Sequence, residues 1–331
     1  MEIKLISEKN QWNDWLKMTL KFSPFTQSWE WGDILIAEEK KVERLAVVEG
    51  DLVLAQAQVV YTNIPFGWKY AFCPKGPVVS GKTQIKKEGV YEVLFAYLKK
   101  IDCIFLRTEP ADKIINSKFK VHRSIDINPP ATLILDLSKS EDDILKNMHQ
   151  KTRYNFNLAQ KKEIRVEEKK DFVVLWSLMN ETGKRDSFRL HAKDHYEKIL
   201  ASSLTRQLVA YANDKPIACC VFIGFGNTFT YLYGASSYES RSLMAPHLLQ
   251  WEGIKMGKRL GYKWYDFFGV APKINDGDEY FCDPKHQYAG VTRFKLGFGG
   301  EPYQTTGTWD IVIDNTKYKL YNILRRLRRL F

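Results

Sequence analysis

Aromatic residues recur at every second position in one stretch near the middle of the chain. Phe229, Tyr231 and Tyr233 are separated by single residues, which is the period of a β-strand. The spacing predicts a strand on which the two tyrosines point to the same face. Beyond a polar loop, Pro246 is suited to the first turn of a helix, where a missing N–H costs nothing. Gly261 is suited to the C-terminal cap of that helix, and a second apolar run follows it.

The same order of elements occurs earlier in the chain. Residues 44–56 align with residues 207–219 at a constant offset, and each copy continues with a strand, a helix and a strand. The identical pairs are Leu45 and Leu208, Asp51 and Asp214, and Ala55 and Ala218. We interpret this pattern as an internal duplication that predicts an α/β protein with mixed sheets and two similar domains. We expect the first domain at residues 1–145, the second at 146–315, and a C-terminal helix at 316–331 attached to the first.

Hydrophobic periodicity predicts the remaining elements. Two helices are expected before residue 40, the second starting near Trp29, and a basic helix is expected after Ser138 or Ser140. The other predicted elements are strands at Arg44–Val48, Leu52–Val60, Tyr70–Cys73, Cys103–Arg107 and Trp264–Phe268, and helices at Ile85–Lys100, Phe172–Arg185 and Lys193–Leu200.

Charge narrows the choice of partners. The 331 residues carry a formal net charge of +11, which favours an anionic partner, although a lysine-rich surface can also serve solubility alone. Residues 146–170 hold eight Lys and Arg against three Glu. No apolar run is long enough to span a membrane, and the N-terminus lacks the apolar core of a signal peptide. A cytoplasmic protein is therefore expected, with contact at the inner face of the membrane as an open alternative.

The C-terminal segment 317–331 combines charge with an apolar stripe. It has six basic residues and no acidic one. The stripe consists of Leu320, Ile323, Leu324, Leu327 and Phe331. Such a helix could lie on an anionic membrane, or it could dock its stripe on the first domain. The sequence leaves both interpretations open.

The duplicated units suggest the acyltransferase fold that usually binds acyl-coenzyme A. In that fold, a glycine-rich loop before the helix offers backbone N–H groups to the pyrophosphate. The corresponding loop here, residues 240–246, contains no glycine, and Pro246 removes one donor. Coenzyme A binding in that manner is therefore disfavoured.

Four motifs carry a resemblance to a known family. The segments KTRYNFNLAQKK, YLYGAS followed by APHLLQWEGIK, GYKWYDFFGV and GVTRFKLGFGG resemble the Fem-type aminoacyltransferases, in the right order and over most of the chain. The resemblance implies two tandem acetyltransferase-like (GNAT-like) domains. It also implies transfer of an amino acid from aminoacyl-tRNA to an amine of a peptidoglycan precursor, with no separate cofactor. The basic charge would then meet tRNA phosphates.

The resemblance also implies site residues. Lys295, in TRFKLGFGG, matches a family lysine associated with the tRNA donor, and Arg293 lies in the same motif. The alternative for Lys295 is a lysine that covers neighbouring aromatic rings. Tyr231 and Tyr233 match tyrosines facing the acceptor cleft, although alternating aromatics are also typical of a core. Glu109 ends a strand of the first domain at an acidic family position, and is favoured over Asp266 of the second domain, which could instead cap a turn.

Two family ligands of the nucleotide-linked precursor are not clearly matched. One is a lysine near the start of the first domain, but residues 22–39 contain no Lys or Arg. The other is an arginine that falls near Arg189 and His191 with ambiguous alignment. A lipid-linked precursor is therefore favoured as the acceptor. His191 and His195 have helical spacing but lack the glutamate of a zinc-protease motif, so no metal is expected.

Other functions remain open at this point. One is an N-acyltransferase that uses an acyl-thioester donor, and another is a non-catalytic RNA- or membrane-binding module.

The proposed reaction also needs a group that accepts a proton. An acceptor lysine amine with an ordinary pKa near ~10.4 must lose a proton before it attacks an ester. Glu109 or a substrate group could receive that proton, and the sequence does not decide between them.

Overall fold

A computed structural model of the protein describes residues 1–81, 87–114, 118–186 and 189–327. The strands in these ranges are β1 (Glu2–Leu5), β2 (Lys41–Glu49), β3 (Leu52–Ile64), β4 (Trp68–Cys73), β5 (Val78–Val79), β6 (Cys103–Thr108), β7 (Lys120–Arg123), β8 (Ala131–Asp136), β9 (Arg165–Glu168), β10 (Thr205–Ala212), β11 (Lys215–Phe225), β12 (Thr228–Ser236), β13 (Trp264–Asp266), β14 (Glu301–Gln304) and β15 (Trp309–Val312). The helices are α1 (Lys9–Thr19), α2 (Trp29–Ala37), α3 (Lys87–Lys100), α4 (Glu141–Asn147), α5 (Gln150–Lys161), α6 (Phe172–Asp186), α7 (Lys193–Ala201), α8 (Ala245–Arg259), α9 (Ala289–Leu296) and α10 (Asn315–Leu327).

The strands form two mixed sheets. The first has the order β1-β2-β3-β4-β6-β15-β7, with β5 paired to β3, and the second has the order β14-β8-β13-β12-β11-β10-β9. In each sheet three antiparallel strands lead into one parallel pair, β4 with β6 and β12 with β13. A helix connects each parallel pair, α3 in the first sheet and α8 in the second, as parallel strands require a crossover connection. The predicted α/β class with mixed sheets is confirmed.

Strand register supports the internal duplication. The pairing of β2 with β3 shifts between Val47 and Val48, and the pairing of β10 with β11 shifts between Ala210 and Tyr211. These irregularities lie at the same offset that aligns the identical residues of the two copies. An extra residue in a ladder bends and twists the strand locally. The two copies therefore share a distortion of the sheet as well as an order of elements.

The chain divides into two compact units. One comprises residues 1–130 and 305–331, and the other comprises residues 131–304. The first limit precedes the expected boundary at 145 because β8 pairs with β13 and β14. The second precedes the expected boundary at 315 because β15 pairs with β6 and β7. Each unit thus receives a strand from beyond its expected limit, and local periodicity gives no sign of such long-range pairing.

Most predicted elements lie within a few residues of the observed ones. The exception is the basic helix expected after Ser138 or Ser140. Ser140 caps α4, accepting a hydrogen bond from the backbone N–H of Asp143, but α4 ends at Asn147. A separate helix, α5, begins at Gln150 and carries the basic residues. Part of the helix predicted at Ile85–Lys100, namely residues 85 and 86, lies outside the described residues.

Helix α10 packs on the first unit, as expected, but with an unexpected face. Tyr318 is buried in a small cluster with Ile104, Phe105 and Val312. Its hydroxyl donates a hydrogen bond to Asp310, which also forms a buried ion pair with Arg107. Of the predicted stripe, Leu320, Ile323 and Leu327 are exposed and Leu324 is partly buried, whereas Phe331 lies outside the described residues. Within the described residues, no helix is long and apolar enough to cross a membrane.

Candidate functional site

A bulge in β12 separates the two tyrosines that the sequence predicts on one face. Tyr231 pairs with Phe222 of β11, whereas Tyr233 pairs with the adjacent residue Val221, so Leu232 is the extra residue. Neighbouring residues of a strand point to opposite faces of the sheet. Tyr231 and Tyr233 therefore point to opposite faces, and the prediction of a shared face is wrong. Strict period-two counting fails wherever a bulge inserts a residue.

Tyr231 points to the face that α8 covers. Its ring lies 5.8 Å from the ring of Phe222, and its hydroxyl is beside the thiol of Cys220. Burial raises the pKa of Tyr231 well above its ordinary value. A Cβ atom on Gly234 would lie 1.8 Å from the Tyr231 hydroxyl oxygen. Because Gly234 has no side chain, there is space for the Tyr231 hydroxyl at this position.

Lys295 of α9 is next to Tyr231 and is itself buried. Only 6% of the residue is exposed, and its Nζ atom lies 5.4 Å from the centroid of the Tyr231 ring. Nζ donates hydrogen bonds to the backbone carbonyls of Gly269, at 2.8 Å, and Phe268. Burial lowers the pKa of Lys295 from its ordinary 10.5 to about 7, against a smaller opposite effect of Asp266. Near neutral pH this amine therefore exists in both protonation states.

The loop after β13 aims these two carbonyls at Lys295. Phe268 and Gly269 both have positive φ angles, of 50° and 35°. Asp266 fixes the turn by accepting hydrogen bonds from the backbone N–H of Phe268, at 2.8 Å, and from the hydroxyl of Thr132, at 2.5 Å. This is the turn-capping arrangement that the sequence offered as the alternative for Asp266. Its carboxylate positions the carbonyls that hold Lys295.

On the opposite face of the sheet, Tyr233 meets α7. Its hydroxyl lies 3.2 Å from Nε2 of His195, and its ring is 5.2 Å from that of Tyr196. The ring of His191 is 4.4 Å from that of His195. The structure thus brings His191, His195 and Tyr233 into one cluster. Arg189 is exposed just before it in the chain.

Arg293 lies on α9 with Lys295 but does not share its environment. Its residue is exposed, whereas Lys295 is buried two positions further on. Residues two apart on a helix do not face each other. The two basic residues of the late motif therefore have different surroundings, one in the interior and one on the surface.

A pocket lies at the N-terminus of α8, where an acetyltransferase fold holds its anionic donor. Its volume is about 160 Å³. The lining residues are Ile217, Ser236, Ser237, Ser240, Arg241, Met244, Ala245, Pro246, His247 and Phe294. Sequence reasoning overlooked His247, although a histidine directly after the proline of a helix start was a visible signal.

His247 is held neutral by its surroundings. Burial lowers its pKa to about 4, with a smaller contribution from Lys151. The Nδ2 amide of Asn155 lies 3.1 Å from Nε2 of the imidazole. If that amide donates, Nε2 accepts and Nδ1 carries the proton. Nδ1 is buried without a hydrogen-bond partner among the described residues.

Glu109 is a buried carboxylate within the first unit. It is 2% exposed. Its oxygens accept hydrogen bonds from the backbone N–H groups of Lys75, at 3.1 Å, and Asn128, at 2.8 Å. The Asn128 amide, at 2.7 Å, and the Thr308 hydroxyl, at 3.0 Å, donate as well. Four donors from three separate loops occupy the carboxylate, so this arrangement favours a positioning role over proton transfer.

A comparison with known protein families decides the family to which the chain belongs. The model of the FemAB family matches residues 8–128, 117–203 and 201–326. The chain belongs to the FemAB family. Aminoacyltransferase FemA of Staphylococcus aureus strain MRSA252 is 21% identical over 414 residues, covering 95% of this chain and 96% of that protein. FemA of Staphylococcus epidermidis strain RP62A is 20% identical over 408 residues, covering 94% of this chain and 96% of that protein.

Solved structures agree with this FemAB assignment at the level of the fold. The crystal structure of FemX has a TM-score of 0.78 at 19% identity, and covers 97% of this chain and 99% of its own. A tandem GNAT protein from the clavulanic acid biosynthesis pathway has a TM-score of 0.51 at 12% identity, and covers 94% of this chain and 99% of its own. Two GNAT-like domains and an aminoacyltransferase of the FemAB family are therefore established for this chain.

Proposed function

We propose that this aminoacyltransferase moves an amino acid from aminoacyl-tRNA to the stem-peptide amine of a peptidoglycan precursor, as part of interpeptide bridge synthesis. The name of the FemA relatives supports the aminoacyl group, and the net charge of +11 suits a tRNA donor. The reaction needs no cofactor, because the ester of the donor already activates the carbonyl carbon.

The buried amine of Lys295 is the observation that carries the proposal. In the reaction the acceptor nitrogen attacks the ester carbonyl and loses a proton, and the ribose oxygen leaves and gains one. A group with a pKa of about 7 can both give and take protons near neutral pH. Nζ donates two hydrogen bonds, to the carbonyls of Phe268 and Gly269. A protonated amine has a third N–H, which can donate to a substrate.

We assign the remaining site residues as follows. Tyr231 orients Lys295 through its ring, while Tyr233 with His191 and His195 forms a separate polar surface for the acceptor. Arg189 and Arg293 are exposed cations suited to substrate phosphates. Glu109 and Asp266 hold loops in place. The general base is Lys295 or a substrate group, rather than Glu109.

The acceptor that we favour is lipid-linked. Residues 22–39 contain no Lys or Arg for the phosphates of a nucleotide-linked precursor. We further propose that residues 317–331 bring the enzyme to the inner face of the membrane, where a lipid-linked acceptor is found.

An assay with charged tRNA tests this function. The purified protein is given radiolabelled aminoacyl-tRNA and either a lipid-linked or a nucleotide-linked pentapeptide precursor. We expect labelled precursor, more of it with the lipid-linked form, and none after RNase treatment of the donor. Transfer that persists after RNase treatment would indicate a different acyl donor, such as a thioester, and no transfer to either acceptor would indicate a binding protein.

A further inference from the structure

Helix α10 presents two different faces. Tyr318 and Tyr321 contact the ring of Phe105, with ring centroids 5.2 Å and 5.1 Å away. Tyr321 also lies 6.1 Å from the ring of Tyr70. This tyrosine face holds the helix on the first unit. Its partners are strands β4 and β6, so the anchoring side of the helix is defined by aromatic contacts.

The opposite face of α10 is apolar and exposed. Leu327 follows Tyr318 by nine residues, which is about two and a half helical turns, so the two side chains point in opposite directions. Leu320, Ile323 and Leu327 are 40%, 54% and 48% exposed. We call these three residues the outer stripe. A helix that used its whole apolar stripe for docking would bury these residues, whereas this helix docks with its tyrosines, leaves the outer stripe exposed and buries Leu324 only in part.

Two exposed cations border the outer stripe on one side, and a lysine paired with Asp314 lies on the other. At 100° per residue, Lys319 and Arg326 lie on one border and Lys317 lies on the other. Lys319 and Arg326 are exposed. Beyond Asp314, which pairs with Lys317, the chain contains no acidic residue. An exposed apolar stripe with cations beside it is the arrangement of a helix that lies in the plane of a membrane interface.

We propose that the outer stripe of α10 docks on an anionic lipid bilayer. The apolar side chains enter the boundary between headgroups and acyl chains, and the bordering cations pair with lipid phosphates. This inference gives a structural basis to the membrane location in the proposed function, and it does not depend on the reaction. The tyrosine face remains packed, so docking requires no unfolding of the helix.

Other occupants fit the outer stripe less well. A second copy of the chain would bring two cationic helices together, which like-charge repulsion opposes. RNA would satisfy the cations but would leave three exposed apolar side chains in water, since a phosphate backbone offers them no apolar surface. An anionic bilayer satisfies both features at once.

Vesicle flotation of the full chain tests the docking surface. The vesicles contain phosphatidylcholine alone or equal parts of phosphatidylcholine and phosphatidylglycerol. We expect the protein to float with the anionic vesicles and not with the neutral ones. The triple variant Leu320→Ser/Ile323→Ser/Leu327→Ser should lose the interaction. The variant Lys319→Gln/Arg326→Gln should bind about 25-fold more weakly, since each cation near such a surface contributes about fivefold.

A matched control substitutes exposed apolar residues elsewhere. Leu52, Val173 and Ile274 are 52%, 76% and 67% exposed, and their triple serine variant should float like wild type. Flotation of the outer-stripe variant at the wild-type level would overturn the proposal. Two other results would also overturn the proposal. In the first, the wild-type protein does not bind anionic vesicles and the Lys319→Gln/Arg326→Gln variant loses tRNA binding. In the second, the wild-type protein is a dimer that the outer-stripe substitutions dissociate.

Transfer to a water-soluble stem peptide separates this inference from the proposed function. Wild-type transfer to the peptide without flotation would refute docking, and with it the membrane role proposed for residues 317–331, but not the transfer reaction. Flotation without transfer from charged tRNA would refute the proposed function alone. The outer-stripe variant should keep transfer to the soluble peptide, because its substitutions lie outside the residues assigned to the site.

Discussion

Lys295 and Tyr231 come from different elements and meet in the interior of the second unit, with Nζ 5.4 Å from the centre of the aromatic ring. The ring and two backbone carbonyls replace the water that normally surrounds an ammonium group. This replacement is incomplete, so burial lowers the lysine pKa to about 7. A buried, titrating amine in an acyltransferase is a candidate for proton transfer.

The stability of the protein should depend on pH through Lys295. Its pKa is about 7 in the folded protein and about 10.5 when unfolded, so between these values the unfolded chain binds one more proton. The free energy of unfolding therefore rises with pH across this window, by up to about 1.4 kcal/mol per pH unit from this group. Relative to Lys295→Met, wild type should gain stability between pH 7 and 9 in urea denaturation.

The control for that measurement is Arg293→Met. Arg293 is exposed on the same helix, so its removal should leave the pH slope of stability unchanged. Equal slopes for wild type and Lys295→Met between pH 7 and 9 would show that Lys295 keeps an ordinary pKa.

Tyr231 and Tyr233 should act independently. The bulge places them on opposite faces of β12, where the Tyr231 hydroxyl lies beside Cys220 and the Tyr233 hydroxyl lies beside His195. We expect the effects of Tyr231→Phe and Tyr233→Phe on kcat/KM to add, with a coupling energy below about 0.5 kcal/mol in a double-mutant cycle. A coupling above about 1 kcal/mol would indicate that both hydroxyls act on the same substrate group.

Gly234→Ala should displace the Tyr231 side chain. The new Cβ would lie 1.8 Å from the Tyr231 hydroxyl oxygen, so that hydroxyl must move. Overpacking of this kind costs about 1–3 kcal/mol of stability, and transfer should fall with it. Gly290→Ala in α9 is the control, because nothing lies within 4 Å of its Cβ position. Equal stability of the two variants, measured by thermal denaturation, would show that the hydroxyl is not fixed there.

Glu109→Gln should affect stability more than chemistry. The substitution replaces one carboxylate oxygen by an NH₂ group, which cannot accept a hydrogen bond. At least one of the four donors that now surround the carboxylate would therefore lose its acceptor. We expect a loss of about 1–3 kcal/mol in the free energy of unfolding. With saturating substrates below the melting temperature, kcat should fall by less than about tenfold. Glu239→Gln is the exposed control and should change neither quantity.

A Glu109 that serves as the general base would give the opposite result. In that case kcat would fall by about 100-fold or more while stability changed little.

Local patterns in the sequence predicted most elements of this fold. Strand periodicity, Pro246 and Gly261 define β12 and α8, because these signals depend on neighbours in the chain. The exchange of β8 and β15 between the sheets was not predictable in this way, since it depends on pairing with distant strands. The bulge at Leu232 was missed for a similar reason: one extra residue reverses every face assignment beyond it.

The candidate site followed the same division. Lys295 could be named as a candidate because it lies in a distinctive motif, but its burial could not be predicted, because that depends on the carbonyls of Phe268 and Gly269. Helix α10 gives the converse case. The sequence predicts an apolar stripe, of which Leu320, Ile323 and Leu327 are exposed, yet the helix packs through Tyr318 and Tyr321 on the other side. Periodicity identifies a stripe and leaves open what covers it.

A single-turnover assay of Lys295→Ala with charged tRNA tests the proposed function most directly. The lipid-linked pentapeptide is held in excess, and Lys295→Arg is included because it keeps a permanent charge without a titrating amine. We predict that transfer by Lys295→Ala falls by at least about 100-fold, and that Lys295→Arg remains impaired and loses the wild-type pH dependence near pH 7. Transfer at the wild-type rate by Lys295→Ala would contradict the assignment of Lys295 to the reaction.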